Sequence, residues 1–505
     1  MEQKKRGSFG GSLGFVLAAA GSAVGLGNIW RFPALAAKDG GGLFLVIYLI
    51  LAITFGFTLL LTEVAIGRKT KQSPLTAYGR LHKKSGWIGG FACAVPFIIM
   101  PYYCVIGGWV LKYFIVFLTG NGSEATQDGF FGGFITAQYE PIIYTVIFLL
   151  ICALIILFGV GKGIERVSKV IMPILLVMVI GISIYSLTLS HTNEQGVTAT
   201  GLEGLKVYVV PDLENATFEK IVTTTMDALG QLFYSISVAM GIMVTYGSYV
   251  HDDTNMVKSV NQIEIFDTVV AFLAGVMIIP AVYVFQGVDG MKAGPSLMFV
   301  ALPNVFEAMG PFGGFIGAAF FLMVLFAAVT SAMSILEAVV SSMIDKFKVE
   351  RHKATIIESL LALALAVVVC LGYNKWYFEV ELPNTPEGAS AQILDIMDYV
   401  SNNILMPIVA IATCIMIGWV LKPKTVIDEV TKNGEKLGRR RLYVVMVQFL
   451  APMLLVMLLV AAFGVTLEPA IVASVAVVVL IAMVIYYIIQ EKRGKLPHYS
   501  QLDKE

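Results

Sequence analysis

Charge is scarce in this 505-residue sequence: Asp, Glu, Lys and Arg together make up 14% of it, and 35 basic residues balance 35 acidic ones. A net charge of zero excludes a strong electrostatic attraction to nucleic acid, so we expect no nucleic-acid partner. Hydrophobic residues make up 57% of the chain, and its mean hydropathy is +0.81. A soluble domain cannot bury so much apolar surface, which leaves the membrane as the solvent of this chain.

Residues that commonly bind metals or catalyse reactions are also few and scattered. The 5 histidines occupy loops or the ends of apolar segments and lack the HExxH spacing of a zinc enzyme. We therefore predict a protein that is not an enzyme and holds no organic cofactor. The cysteines lie apart inside apolar runs with no CxxC pair, so they indicate neither a metal site nor a disulfide framework; they are Cys93, Cys104, Cys152, Cys370 and Cys414.

Long apolar runs, by contrast, recur along the whole chain. Since a membrane-spanning helix needs about 20 apolar residues, the sequence contains about twelve spans. The even number of spans, and basic residues concentrated in alternate connecting segments, predict that both termini are cytoplasmic. We expect a multi-pass protein of the cell (inner) membrane, with lipid around it. The predicted spans are 12–36, 42–67, 87–118, 140–159, 169–189, 225–250, 258–285, 314–345, 354–373, 395–421, 442–463 and 469–490.

Two of these spans have unusual interiors. The first contains GSAVGLGN at 21–28, and the sixth contains SISVAMG at 235–241. Irregular backbone at membrane depth persists only where it lines a cavity or is buried in protein, and its free carbonyls and amides can bind a cation or a carboxylate. Corresponding interruptions in two successive groups of five spans are typical of inverted-repeat transporters. The alternative is that Gly and Ser merely allow close helix packing.

The segment GSAVGLGNIWRFP at 21–33 resembles the first helix of the neurotransmitter:sodium symporter family, in particular its bacterial leucine-transporter-like members. Further resemblance lies at Gly67-Arg68, 231–249, Leu302-Pro303 and 327–331. It implies an all-α membrane protein of about 12 transmembrane helices, with a leucine-transporter-type 5+5 inverted repeat and broken helices 1 and 6. The implied parts are a cytoplasmic segment (1–11), a first repeat (12–189), an extracellular loop (190–224), a second repeat (225–421), a cytoplasmic loop (422–441), spans 11 and 12 (442–490) and a cytoplasmic tail (491–505).

The resemblance also implies where ligands bind. The first sodium ion would contact Ala23, Asn28, Ser235 and an acidic or amide group on span seven, either Asp267 or its rival Glu264. The second would contact Gly21, Val24, Ala327, Thr330 and Ser331, although Thr330 and Ser331 alone would more often bond to their own helix. The implied substrate-binding residues are Ser22, Ala23, Gly25, Leu26, Gly27, Ile99, Tyr103, Tyr234, Ser235, Ser237, Met240, Ser331 and Ile335.

Two charged pairs are implied to act as gates. Arg31 and Asp398 would close the outer path above the lid residue Tyr234, and Arg6 and Asp345 would close the inner path. The chain departs from the family pattern at Phe9, where Trp is usual, at Ser22, where the leucine-transporter type has Asn, and at Ala239-Met240, where Gly and Phe are usual.

These observations predict a sodium-coupled symporter that imports amino acids by alternating access. The apolar residues implied for the pocket favour an aliphatic or aromatic substrate. We expect two sodium ions and no need for chloride, because Asp267 would supply the compensating negative charge. Rival interpretations are a sodium-dependent transporter of another small amine or osmolyte, and a non-transporting amino-acid sensor. A gated channel is disfavoured because the sequence lacks repeated acidic rings. The oligomeric state is left open.

Overall fold

The computed structural model describes residues 7–192, 198–212, 216–290, 297–383 and 390–465, together with isolated positions between 474 and 485. Arg6, most of the predicted twelfth span and the tail at 491–505 lie outside these residues. Helices dominate the described chain, as predicted.

Among the described residues, nine uninterrupted helices are long and apolar enough to cross a membrane. A tenth span is the pair Ser12–Ala23 and Gly27–Lys38, whose axes bend by 56° at the break. The predicted sixth span is likewise divided, into Phe218–Ser235 and Ile242–Ser248. These breaks confirm the interruptions predicted in spans one and six. The uninterrupted spans, two to five and seven to eleven, are Gly42–Thr70, Lys83–Leu118, Glu140–Leu157, Val160–Leu187, Met256–Gly287, Gly310–Phe347, Arg351–Gly372, Ile393–Val420 and Arg440–Ala462.

The break in span one follows from its local sequence. Val24 still donates its amide to Ala20 across 2.7 Å, but its ψ of 88° takes the chain out of the helix. Helical structure resumes at Gly27. Leaving the helix frees carbonyls at the end of the first half and amides at the start of the second half.

The break in span six uses left-handed backbone at Ser237 (φ 54°), Ala239 (φ 62°) and Gly241 (φ 71°). Only glycine adopts this conformation freely, and each other residue costs roughly 1–2 kcal/mol. The amide of Ala239 donates to Glu63 Oε1 across 2.6 Å, so a buried carboxylate on span two satisfies the interrupted helix. Glu63 therefore has a structural role at the break.

Glycines allow spans two and six to touch. A Cβ added at Gly67 would lie 2.0 Å from the carbonyl oxygen of Val244, and one added at Gly247 would lie 2.3 Å from that of Val64. Close backbone approach of this kind holds membrane helices together by van der Waals contact.

Short elements connect the spans. A two-stranded hairpin, β1 (Ser190–Thr192) with β2 (Thr198–Thr200), pairs antiparallel on the side predicted to be extracellular. The short connecting helices are Pro74–Leu81, Gly122–Thr126, Phe130–Thr136, Gly201–Val209, Leu297–Ala301, Leu302–Ala308 and Lys424–Val430.

Candidate ion and substrate site

A cavity lies between the two breaks. Every residue predicted for the substrate lines it. Asn28, predicted for the first sodium ion, and Ile242, which the sequence reasoning missed, complete the wall. The only sequence signal for Ile242 is its place directly after the break, which does not say where its side chain points. The lining residues are Ser22, Ala23, Gly25, Leu26, Gly27, Asn28, Ile99, Tyr103, Tyr234, Ser235, Ser237, Met240, Ile242, Ser331 and Ile335.

One part of the cavity is polar and narrow. The hydroxyl of Tyr103 is buried and lies near Ser331 and the backbone of Leu26, but it forms no hydrogen bond of regular geometry within the described part of the chain. A Cβ added at Gly25 would lie 3.3 Å from that hydroxyl and 2.8 Å from Ser331 Oγ. Since a buried hydroxyl normally finds a partner, this corner suits a ligand group that accepts a hydrogen bond.

Another part of the wall is apolar. Ile99, Met240, Ile242 and Ile335 are all at most 4% exposed, and among the described residues no Lys, Arg, Asp or Glu lines the cavity. The ring of Tyr234 lies across the break of span one, with Cδ1 3.0 Å from a Cβ added at Gly27. The cavity therefore combines a polar corner with an apolar pocket.

Three predicted ligands of the first sodium ion meet beside the cavity. Asn28 Nδ2 donates to Asp267 Oδ1 across 2.7 Å, and Ser235 Oγ donates to the same oxygen across 2.9 Å. Asp267 is fully buried, and no Lys or Arg in the described chain forms an ion pair with it. A buried carboxylate without a cation is costly, so this cluster suits a positive ion. Its rival Glu264 instead pairs with Arg439 at 3.2 Å.

The predicted second sodium set lies where spans one and eight touch. A Cβ added at Gly21 would lie 3.3 Å from Thr330 Cβ, and Ser331 Oγ donates to the carbonyl of Ser22 across 3.0 Å. Thr330 Oγ1 donates to Phe326 and Ala327 within its own helix, both at 3.0 Å. Such a hydroxyl keeps lone pairs free for a cation.

The two outer-gate residues are not in direct contact. Asp398 accepts hydrogen bonds from Tyr102 across 3.0 Å and from Asn402 across 2.6 Å. The structure gives Arg31 no ion pair within 4.0 Å of Asp398 among the residues it describes. The guanidinium of Arg31 lies near span six, with Nη2 4.0 Å from a Cβ added at Gly230.

Aromatic rings cluster around Phe9, just before span one. Phe9 is 1% exposed, and its ring packs on those of Phe15, Tyr246 and Tyr249. Phe therefore fills the position where Trp is usual. The predicted inner-gate residue Asp345 accepts from the amide and hydroxyl of Ser73 across 2.7 and 2.6 Å. Its predicted partner Arg6 lies outside the described residues.

A further buried carboxylate, that of Glu337, joins helices close to this aromatic cluster. Glu337 is fully buried and accepts from Tyr249 across 2.6 Å. Arg351 Nη1 and Nη2 bind the two oxygens of Glu337 at 2.6 and 2.8 Å. Glu337 therefore has a structural role, linking its own helix to Tyr249 and Arg351.

The sequence matches the sodium:neurotransmitter symporter family over residues 6–125 and 138–492. The sodium-dependent transporter YhdH of Bacillus subtilis is 33% identical over 475 residues, which cover 92% of this chain and 99% of the relative. The human sodium- and chloride-dependent GABA transporter 2 is 25% identical, over 84% of this chain and 75% of its own length.

A solved structure gives the same result. The crystal structure of MhsT in complex with L-phenylalanine superposes with a TM-score of 0.77 and 31% identity, covering 91% of this chain and all of that one. The chain therefore belongs to the sodium:neurotransmitter symporter family and is a sodium-dependent, multi-pass membrane symporter with the leucine-transporter fold, in a family of transporters rather than enzymes.

Proposed function

We propose that this protein imports apolar amino acids together with sodium, by exposing the cavity between its two breaks alternately to the outside and the inside. The main observation behind this proposal is that one cavity contains two features. The Tyr103 hydroxyl, beside Gly25, forms no regular hydrogen bond within the described chain, and part of the cavity wall is apolar. A zwitterion with an aliphatic or aromatic side chain complements both parts. The L-phenylalanine bound by the related MhsT supports this substrate class.

The two breaks would bind the carboxylate and ammonium groups of the substrate. Backbone amides around Gly25, Leu26 and Gly27 begin the outer half of span one, and a helix N-terminus favours a carboxylate. The Tyr103 hydroxyl would add one hydrogen bond. Oxygens of Ala23, Ser235 and Ser237 would face the ammonium group.

Two sodium ions would accompany the substrate. The first would take Ala23, Asn28, Ser235 and Asp267, and the second would take Gly21, Val24, Ala327, Thr330 and Ser331. All of these groups are oxygen ligands, which hard cations prefer. Because the substrate carboxylate would complete the first ion's shell, sodium and substrate would raise each other's affinity by the same factor.

Transport would depend on the order in which the outer path closes and the inner path opens. Sodium would organise the breaks, substrate would bridge spans one and six, and Tyr234 with Arg31 and Asp398 would close the outer path. Release of the second sodium ion would then allow the inner half of span one to tilt away. We place both termini in the cytoplasm, the protein in the cell (inner) membrane, and the two inverted repeats at 12–189 and 225–421.

The test is uptake and binding with purified protein in proteoliposomes. We expect a sodium gradient to drive uptake of leucine or tryptophan, and a potassium gradient to fail. Glycine should bind weakly because it leaves the apolar wall empty, and tryptamine because it lacks the carboxylate. Strong tryptamine binding would contradict the carboxylate assignment, and a preference for glycine would contradict the pocket assignment. Binding without uptake or counterflow would indicate a sensor.

A further inference from the structure

The N-terminal end of span one lacks a helix cap of its own. Gly11 precedes the helix and has no side chain to accept the free amides, and the first turn contains no acidic residue. Unsatisfied amides at a helix start attract negative charge. Just before the helix, the amide of Gly10 finds a partner in another part of the chain.

That partner is Glu165, on span five. Its Oε2 accepts from the amide of Gly10 across 2.7 Å, and its side chain is nearly buried. The carboxylate lies close to the backbone: a Cβ added at Gly14 would lie 2.3 Å from Glu165 Oε1 and would displace that side chain, and one added at Gly10 would lie 3.0 Å from the same oxygen. The carboxylate of Glu165 therefore packs directly against the backbone at the start of span one.

Lys169 binds the other oxygen of the same carboxylate. Its Nζ lies 2.6 Å from Glu165 Oε1, one helical turn along span five, and its side chain is 44% exposed. If span one moves away, Lys169 still neutralises Glu165. The contact can therefore open without leaving an unpaired buried charge, which would cost several kcal/mol.

We propose that Glu165 is a catch that holds the inner half of span one closed, and that Lys169 weakens the catch enough for it to release. The inference rests on the proposed alternating access, in which this half of span one moves. Glu165 contacts neither the substrate cavity nor the predicted sodium ligands, so it acts through the position of span one. The two side chains should consequently shift the closed state in opposite directions.

The test is hydrogen–deuterium exchange of residues 9–20 in purified full-length protein, with and without sodium. Glu165→Gln should raise exchange about tenfold, the scale of one lost hydrogen bond to a charged group. Lys169→Gln should lower it. Lys162→Gln, the same charge change at an exposed position on span five, should match the wild type. The apparent sodium affinity should fall in Glu165→Gln and rise in Lys169→Gln, with melting temperatures unchanged.

If residues 9–20 exchange at the same rate in Glu165→Gln as in the wild type, the proposal is wrong. A shift in the same direction for the Glu165 and Lys169 variants would also overturn it, because that result indicates general destabilisation. The exchange measurement requires neither substrate nor uptake, so its failure is distinct from a failure of sodium-driven transport.

Discussion

Asn28, in the break of span one, donates its side-chain amide to the carboxylate of Asp267, in span seven, across 2.7 Å. Ser235, in span six, donates to the same carboxylate oxygen across 2.9 Å. Three spans therefore meet at one buried negative charge beside the cavity. The carboxylate of Asp267 is therefore a fixed negative charge that belongs to the protein at this site.

From this charge we predict transport that does not require chloride. Two sodium ions beside one zwitterion leave excess positive charge in a poorly solvated place, and Asp267 would offset it. Asp267→Asn should impair sodium-driven uptake, and chloride should partly restore Asp267→Ser by occupying the vacated space. The measurement is uptake in gluconate buffer with and without chloride.

Glu264→Gln is the matched control, because it removes the same charge one turn away on span seven. It should remain independent of chloride. Wild-type uptake that collapses in gluconate and returns with chloride would show that Asp267 does not have this role.

For the second sodium site, Thr330→Ala combined with Ser331→Ala should raise the sodium concentration needed for half-maximal uptake by about tenfold or more. The change removes two hydroxyl ligands, each worth roughly 1 kcal/mol on the scale of a net hydrogen bond. Ser342→Ala, on the same helix, removes a hydroxyl that bonds to its own helix at Ala338 and should have little effect. Unchanged sodium dependence in a folded double variant would refute the assignment.

The sequence predicted the breaks because Gly and Ser inside an apolar span leave a local signal. It predicted the cavity wall through the family resemblance, since neither spacing nor composition places Ile99 beside Ile335. Contacts between distant segments left no signal. Gly10 and Glu165 are 155 residues apart, and the hydrogen bond of Asp398 with Tyr102 depends on how spans three and ten pack.

The packing around Asp398 refines the outer-gate prediction. Arg31→Ala should slow transport more than it weakens equilibrium binding, because a gate acts on the conformational cycle. Asp398→Asn should do the same while retaining a side chain able to bond with Tyr102 and Asn402. Asp398→Ala should in addition lower the melting temperature, because Tyr102 and Asn402 both lose their hydrogen bonds to the carboxylate. Uptake and binding measured on one preparation separate these effects; equal losses in uptake and binding would argue against a gate.

A methyl group at Gly25 should selectively disrupt substrate binding. Its Cβ would lie 3.3 Å from the Tyr103 hydroxyl and 2.8 Å from Ser331 Oγ, in the space assigned to the substrate carboxylate. Gly25 is not in the left-handed region, so alanine is compatible with its backbone, and the expected effect is steric.

We expect Gly25→Ala to weaken leucine binding at least about tenfold, or more than ~1.4 kcal/mol. Sodium binding measured without amino acid should weaken less, because the methyl group occupies the space assigned to the substrate carboxylate and contacts only one member of the second sodium set, Ser331. Gly90→Ala in span three is the matched control, since a Cβ there meets no heavy atom within 4 Å. Isothermal titration of leucine and of sodium decides the outcome. Unchanged leucine affinity, or an equal loss in both glycine variants, would place the carboxylate elsewhere in the cavity.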